Sequence, residues 1–182
     1  MIIFDIGYNE GKFTEACFQQ YSGCRVVGVE ANVSLLYDMV KKENLIVLNR
    51  LASDKDGEKV DFFVELNQTG ISTASKEFME NSRFKKGNKD IRIDSAQWIN
   101  SGKVSTITLD TLIENYGDPD IVKIDVEGYE HQVIMGLSKK VGKICFECHE
   151  EERQKLDNIV EHLTSVGYTQ FGFIGYYEEG AV

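Results

Sequence analysis

The chain has 182 residues, with 30 acidic against 20 basic side chains, which gives a formal net charge of −10 at pH 7. Hydrophobic residues make up 42% of the sequence, enough for a folded core, and the length suits a single domain over 1–182. The negative charge argues against a nucleic-acid partner or an anionic membrane surface, and no apolar run reaches the ~20 residues that span a bilayer.

Short β-rich runs alternate with helical stretches in the first part of the chain. IIFDI (2–6), CRVVGVE (24–30) and LIVLN (45–49) are predicted strands, and predicted helices over 12–21 and 34–43 separate them. Alternation at this spacing is typical of βαβ units. It predicts an α/β fold with a parallel sheet.

The regular alternation stops after a turn and strand over 56–65. The polar segment 66–103 is interpreted as an irregular insertion or lid, because so long a connection is usually functional or disordered. Regular elements then resume. They are a strand and helix over 104–117, a strand over 120–127, a helix over 131–139, a strand over 143–149, a helix over 150–165 and a final strand over 168–179.

A glycine-rich turn follows the first predicted strand. In FDIGYNEG (4–11), Asp5 ends the strand, Gly7 makes the turn and Gly11 opens the helix. Such a turn brings backbone N–H groups and a helix N-terminus close to a ligand. The spacing matches neither the dinucleotide fingerprint nor the P-loop. An ordinary strand–helix turn and a cofactor site are therefore both open at this point.

Acidic side chains follow two other predicted strands. Glu30 ends the second strand, where a carboxylate can accept hydrogen bonds from two ribose hydroxyls; a solvated strand end is the alternative. Asp125 and Glu127 are predicted on one face at the carboxyl end of 120–127. They could act as a general base, hold a metal, pair with an amine, or form the acidic first turn of a helix.

Several segments, taken in order, resemble the FkbM family of S-adenosylmethionine-dependent methyltransferases. The resemblance rests on DIGYNEG (5–11), VEAN (29–32), NRLASDKDGE (49–58), GISTAS (70–75), TLDTL (108–112), KIDVEGYE (123–130) and IMGL (134–137). It implies a Rossmann-like class I methyltransferase fold, with a mostly parallel seven-stranded sheet flanked by helices and an antiparallel C-terminal strand. It also implies O-methylation of a sugar, glycan or related metabolite.

The resemblance further implies contacts to the cofactor S-adenosylmethionine, whose product is S-adenosylhomocysteine. The implied residues are Asp5, Gly7, Asn9 and Gly11 around the methionine part, Glu30 at the ribose, Ala31 and Asn32 at the adenine edge, Leu51, Ala52 and Ser53 near the adenine, and Asp125 at the methyl-transfer region.

A hydroxyl acceptor must lose a proton, a step in which a general base contributes about 10²–10⁴-fold. The candidate catalytic bases are Asp125, Glu127 and His149. His149 is predicted to share a strand face with Glu147, and a structural strand-end histidine is its alternative. No metal is assigned; a divalent cation on Asp125 and Glu127 is the less favoured choice.

Cys145-Phe-Glu-Cys148-His149 matches the haem-attachment pattern C-x-x-C-H. An extended strand would place the two cysteines on opposite faces, which is poor for a shared haem or metal. We therefore predict that these thiols, like Cys17 and Cys24, are buried and structural.

The start of the chain bears on compartment and partners. Met1 leads directly into the first predicted strand, so we expect no secretory signal and a cytoplasmic protein. A homodimer or a partner domain could cover the cofactor.

The alternatives to a sugar O-methyltransferase are an inactive cofactor-fold module for binding or assembly, and a methyltransferase of nitrogen or of a small natural product. An NAD- or nucleotide-sugar-binding oxidoreductase is a weaker alternative, because GxGxxG is absent.

Overall fold

The computed structural model describes residues 1–37, 39, 41–84, 96–148 and 153–173. The strands are β1 (Ile2–Ile6), β2 (Arg25–Glu30), β3 (Leu45–Asn49), β4 (Leu51–Ala52), β5 (Lys59–Glu65), β6 (Trp98–Ile107), β7 (Ile121–Ile124) and β8 (Lys143–Phe146). The helices are α1 (Lys12–Gln20), α2 (Lys76–Asn81), α3 (Leu109–Tyr116), α4 (Glu130–Met135) and α5 (Arg153–Ser165), and 3₁₀ turns cover Val33–Leu36 and Thr69–Ile71.

A five-stranded parallel sheet in the order β3-β2-β1-β7-β8 forms the centre of the structure. The predicted strands at 2–6, 24–30, 45–49, 120–127 and 143–149 are confirmed as members of this sheet, and the predicted parallel α/β arrangement with them. Strands β1 and β2 are buried on both faces, which explains their nearly continuous apolar sequences.

Side chains of the central sheet alternate between two apolar layers. Phe4 and Ile6 pack in a layer with Leu112 of α3, Ile134 of α4 and Ile159 of α5. The opposite layer joins Ile3, Val26 and Leu45 to Cys17 of α1 and to Tyr8. The helices therefore cover both faces of the sheet and leave the carboxyl ends of its strands accessible.

A second sheet has the order β4-β6-β5. Strand β6 pairs antiparallel with β5, from Lys59 opposite Ser105 to Glu65 opposite Trp98, and β4 runs parallel to β6. The predicted insertion 66–103 therefore contains more regular structure than its polar composition suggests. Strand β6 begins at Trp98, and α2 lies within the segment.

Two other predicted elements differ from the structure. Among the described residues of the helix expected over 34–43, only the 3₁₀ turn Val33–Leu36 is helical, and Asn32 caps its start, since Asn32 Oδ1 accepts hydrogen bonds from both the N–H and the Oγ of Ser34. Residues 168–173 form no strand, so this part of the expected antiparallel C-terminal strand is wrong. The remainder of that strand, 174–179, lies outside the described residues. In the described part of the chain, no helix is long and apolar enough to cross a membrane.

Candidate functional site

A cleft opens at the carboxyl ends of β1, β2 and β7, where ligands bind in parallel α/β sheets. Its empty space, including the part open to solvent, is about 530 Å³. The predicted site residues that line the cleft are Gly7, Asn9, Glu30, Ala31, Leu51, Ala52, Asp125 and Glu127. Asp5, Gly11, Asn32 and Ser53 are buried beside it rather than lining it. His149 lies outside the described residues.

The turn after β1 is held tightly against the end of β7. Gly7 has φ +78°, and a Cβ at this position would lie 1.8 Å from the carbonyl oxygen of Asp125, so only glycine fits. The backbone N–H groups of Gly7 and Tyr8 both donate to the carbonyl of Val29, at 3.0 and 3.1 Å. The glycine-rich motif therefore joins three neighbouring strands at the cleft.

Glu30 is buried at the end of β2 and is fixed by two backbone donors. Its Oε2 accepts a hydrogen bond from the N–H of Asn9 at 2.7 Å, and its Oε1 accepts from the N–H of Asn32 at 2.6 Å. Burial raises the pKa of this carboxyl, and the two backbone hydrogen bonds oppose that rise. Each oxygen keeps a lone pair, so the carboxylate can accept further hydrogen bonds from a ligand.

Lys123, which was not among the predicted site residues, connects Asp5 of β1 to Asp125, which follows β7. Its Nζ lies 3.4 Å from Asp5 Oδ1 and 3.2 Å from Asp125 Oδ2, and donates to the carbonyl of Gly7 at 2.9 Å. Burial alone would lower the pKa of Lys123, but the two aspartates raise it above its ordinary value. The motif KID indicates this contact, because the strand predicted over 120–127 places Lys123 and Asp125, two residues apart, on one face.

Asp5 is fully buried beside this lysine. Its Oδ2 accepts a hydrogen bond from Thr14 Oγ1 of α1 at 2.7 Å. Burial raises the pKa of Asp5, and Lys123 partly offsets that rise. Asp5 therefore pairs with Thr14 and Lys123, and it does not itself line the cleft.

Three carboxylates, those of Asp125, Glu127 and Glu147, have oxygens within 4.8 Å of one another. The structure thus brings Asp125 and Glu127 together, although not as neighbours on a strand face. Strand β7 ends at Ile124, and Glu127 adopts φ 53° in the loop that follows. Oxygen ligands of this kind suit Mg²⁺, but acidic groups also cluster without an ion.

The acidic loop is held by its own backbone contacts. Glu130, at the start of α4, accepts hydrogen bonds from the N–H groups of Val126 and Gly128 at 2.9 and 3.0 Å. Thr73 Oγ1 donates to the carbonyl of Glu127 at 2.6 Å. Glu130 thus fixes the loop that precedes α4, which leaves Asp125 and Glu127 at the cleft.

The prediction of buried cysteines is correct for only two of the four. Cys17 and Cys24 are buried, and burial raises the pKa of Cys17 to about 11. Cys145 and Cys148 are exposed, because β8 is the edge strand of the central sheet and ends at Phe146.

A comparison with protein-family models gives a match to the methyltransferase FkbM domain over residues 5–169. The chain belongs to the FkbM methyltransferase family. The resemblance noted in the motifs is thereby confirmed, and the helix-flanked parallel sheet fits the Rossmann-like fold expected of an FkbM domain. Neither the comparison with curated proteins nor the comparison with solved structures gave a match. At the level of function, the family supports a methyltransferase in general.

Proposed function

We propose that this FkbM domain is an S-adenosylmethionine-dependent O-methyltransferase that acts on a hydroxyl of a sugar, glycan or related metabolite. One observation carries the proposal: a single cleft has the buried Glu30 and the turn at Gly7 together with Asp125 and Glu127 among its lining residues. A diol-binding acid, a close backbone approach and candidate bases therefore surround the same space.

The residues of the cleft fit an adenosyl cofactor. Ile6, Val29, Leu51 and Phe62 provide apolar surface, while Glu30 offers acceptor oxygens for two ribose hydroxyls. Gly7 allows the backbone to approach a ligand because no side chain stands there. When bound, the cofactor supplies an electrophilic methyl group on a positively charged sulfur. The carboxylates of Asp125 and Glu127 favour such a cation electrostatically.

The acceptor hydroxyl would lie against the acidic loop after β7. Asp125 and Glu127 are the cleft carboxylates from which we expect the general base, which takes the hydroxyl proton as the oxygen becomes nucleophilic. The walls of the cleft align the acceptor oxygen, and in a group transfer this alignment supplies much of the acceleration.

Calorimetric titration with S-adenosylhomocysteine tests the cofactor assignment. We expect saturable binding, and a loss of at least tenfold in Glu30→Gln, which is about 1.4 kcal/mol. Glu10→Gln is the matched control, since Glu10 is an exposed acid that pairs with Lys12. Absence of binding to the wild type, or an equal loss in both variants, would contradict the assignment.

A second assay tests the acceptor. Transfer of a radiolabelled methyl group is measured on a panel of sugars, glycans and amines. We expect labelling of hydroxyl acceptors, with a strong loss in Asp125→Asn or Glu127→Gln despite retained S-adenosylhomocysteine binding. Labelling confined to amines would refute O-methylation, and cofactor binding without any transfer would favour an inactive binding module.

A further inference from the structure

A second crevice adjoins the cleft and has lining residues from both sheets. Residues 31–33 and 49–50, at the ends of β2 and β3, contribute from the central sheet. Lys59 of β5 and four residues of β6, Ser101, Lys103, Val104 and Ser105, contribute from the second sheet. The empty space of the crevice, including the part open to solvent, is about 590 Å³. Its lining includes Ala31 and Asn32, which the family resemblance places at the adenine edge of the cofactor, but no residue assigned to the cofactor's methionine part or to the acceptor.

The described residues that line this crevice carry positive charge only. Its cationic members are Arg50, Lys59 and Lys103, and none of its described members is acidic. In the described part of the chain, none of the three forms an ion pair with a carboxylate. Among the described residues, the guanidinium of Arg50 donates only to the neighbouring carbonyl of Asn49, at 2.8 Å. Three unneutralised cations therefore border one space in a chain of net charge −10.

The pairing of β5 with β6 places two of these cations side by side. Lys59 of β5 lies opposite Ser105 of β6, and Lys103 precedes Ser105 by two residues on β6. Diagonal neighbours of this kind share a sheet face and are roughly 7–8 Å apart. Asp61 lies opposite Lys103 and is the nearest acid in the strand register. Its carboxylate accepts a hydrogen bond from Asn100 Nδ2, at 3.4 Å. No ion pair joins this carboxylate to Lys59 or Lys103 among the described residues.

We propose that this crevice binds a phosphate group. A phosphate carries between one and two negative charges at neutral pH and has several strong acceptor oxygens. It can therefore pair with several separate cations at once, which a single carboxylate does less well. The hydroxyl of Ser105 adds a donor at the same place, whereas the hydroxyl of Ser101 already donates to the carbonyl of Phe62, at 3.0 Å. Asn32 also lines the crevice; it is 4% exposed, and its Nδ2 has no hydrogen-bond partner in the described part of the chain.

Two sources could supply the phosphate. It could be free, or it could be carried by a small molecule that extends into the cleft, because Ala31 and Arg50 line both spaces. The inference goes beyond the proposed function and does not require it. Lys59 and Lys103 are not among the lining residues of the cofactor cleft, so the two sites can be tested separately.

The test is an NMR titration of the full chain with sodium phosphate, against sodium chloride at matched ionic strength. We expect saturable shifts of the amides of Lys59 and of residues 101–105, and a dissociation constant for phosphate at least tenfold higher in K59Q/K103Q than in the wild type. The matched control is K41Q/K143Q, which removes the same charge at two exposed lysines away from the crevice. Its phosphate affinity should equal that of the wild type.

Several outcomes would overturn the proposal. Shifts that grow linearly without saturation, or equal weakening in both double variants, would mean a general electrostatic attraction. Saturable shifts that map elsewhere on the wild-type chain would equally exclude this crevice. The wild-type map does not depend on the folding of any variant, and K103Q alone provides a milder second test.

Further titrations separate the two sources of phosphate. Glucose 6-phosphate that binds at least tenfold more tightly than inorganic phosphate would indicate a phosphorylated small molecule, whereas equal affinity would indicate free phosphate. Glucose that binds as well as its phosphate would refute the proposal. S-adenosylhomocysteine is titrated independently. If it fails to bind while phosphate saturates the crevice, the proposed methyltransferase function falls and the phosphate site stands.

Discussion

Lys123 links two of the acids around the cleft, Asp5 and Asp125, to the glycine-rich turn. It contacts Asp5, Asp125 and the carbonyl of Gly7, and its side chain is only 15% exposed. A buried cation between two carboxylates relieves a repulsion that neither acid could avoid alone. The residue therefore positions Asp125 and the turn rather than acting on an acceptor itself.

Replacing this lysine by methionine tests that role. Lys123→Met leaves Asp5 buried beside a second carboxylate, and we expect a loss of about 3–5 kcal/mol in the free energy of unfolding at pH 8. Because the pKa of Asp5 is already raised by burial, its protonation stabilises the folded state as pH falls. The deficit of the variant should therefore shrink between pH 8 and pH 5, as measured by denaturant unfolding.

Two companion variants distinguish charge pairing from lost packing. Lys123→Arg keeps the cation and should lose less stability than Lys123→Met. The double variant D5N/K123M removes the buried charge together with its partner, and should recover part of the loss. A deficit that is the same at both pH values, with no recovery in the double variant, would assign the effect to packing.

At the scale of elements, the best predictions concern segments whose pattern is local. The strands at 2–6, 24–30 and 45–49 have apolar runs that need no distant partner to recognise, and they were placed correctly. Strand β6 begins with Trp98 and Ile99 and continues with the exposed residues 100–103, and this segment becomes a strand only because β5 pairs with it. Long-range pairing of that kind has no period in the sequence.

Glu65 fixes the end of this strand pair from which the connecting segment 66–97 leaves. Its carboxylate accepts hydrogen bonds from the N–H groups of Asn67 at 2.6 Å, of Gln97 at 2.8 Å and of Gln68. We expect Glu65→Gln to lose about 1.5–3 kcal/mol in the free energy of unfolding, because an amide replaces an ionised acceptor of several backbone donors. Denaturant unfolding at pH 7 measures this loss.

The same residue predicts a pH dependence. Burial acts to raise the pKa of Glu65, but the backbone donors lower it below its ordinary 4.5. Its contribution is therefore complete above pH 4.5 and is lost as pH falls through the lower folded value. The difference between wild type and variant should narrow on acidification. Glu58→Gln, which removes an exposed acid, should stay within about 0.5 kcal/mol of the wild type at every pH.

At the scale of the whole molecule, the order of strands decides where chemistry can occur. Strand β1 lies between β2 and β7, so acids distant in the chain end at one edge of the sheet. The second sheet adds Phe62 and the loop containing Thr69 and Gly70 to the cleft, and its exposed face borders the crevice. The proposed cofactor cleft and the proposed phosphate site thus lie at one junction between the two sheets.

This arrangement also predicts how stability is distributed. Strand β1 is hydrogen-bonded on both sides and buried, whereas β8 is an edge strand. Local opening is hardest where burial and pairing are most complete. We expect the amides of β1 to exchange with deuterium most slowly and those of β8 at least tenfold faster, as followed by hydrogen-exchange mass spectrometry. Equal protection of the two strands would refute this view of the sheet.

The sequence by itself determined the family, the parallel α/β class and the acids that end β2 and follow β7. These features depend on short motifs and on local periodicity, which a chain carries wherever it folds. Only the tertiary structure decided that Lys123 joins Asp5 to Asp125, that Glu147 meets the acidic loop, and that Arg50, Lys59 and Lys103 border one crevice. Those groupings join residues far apart in sequence, and strand order and register alone bring them together.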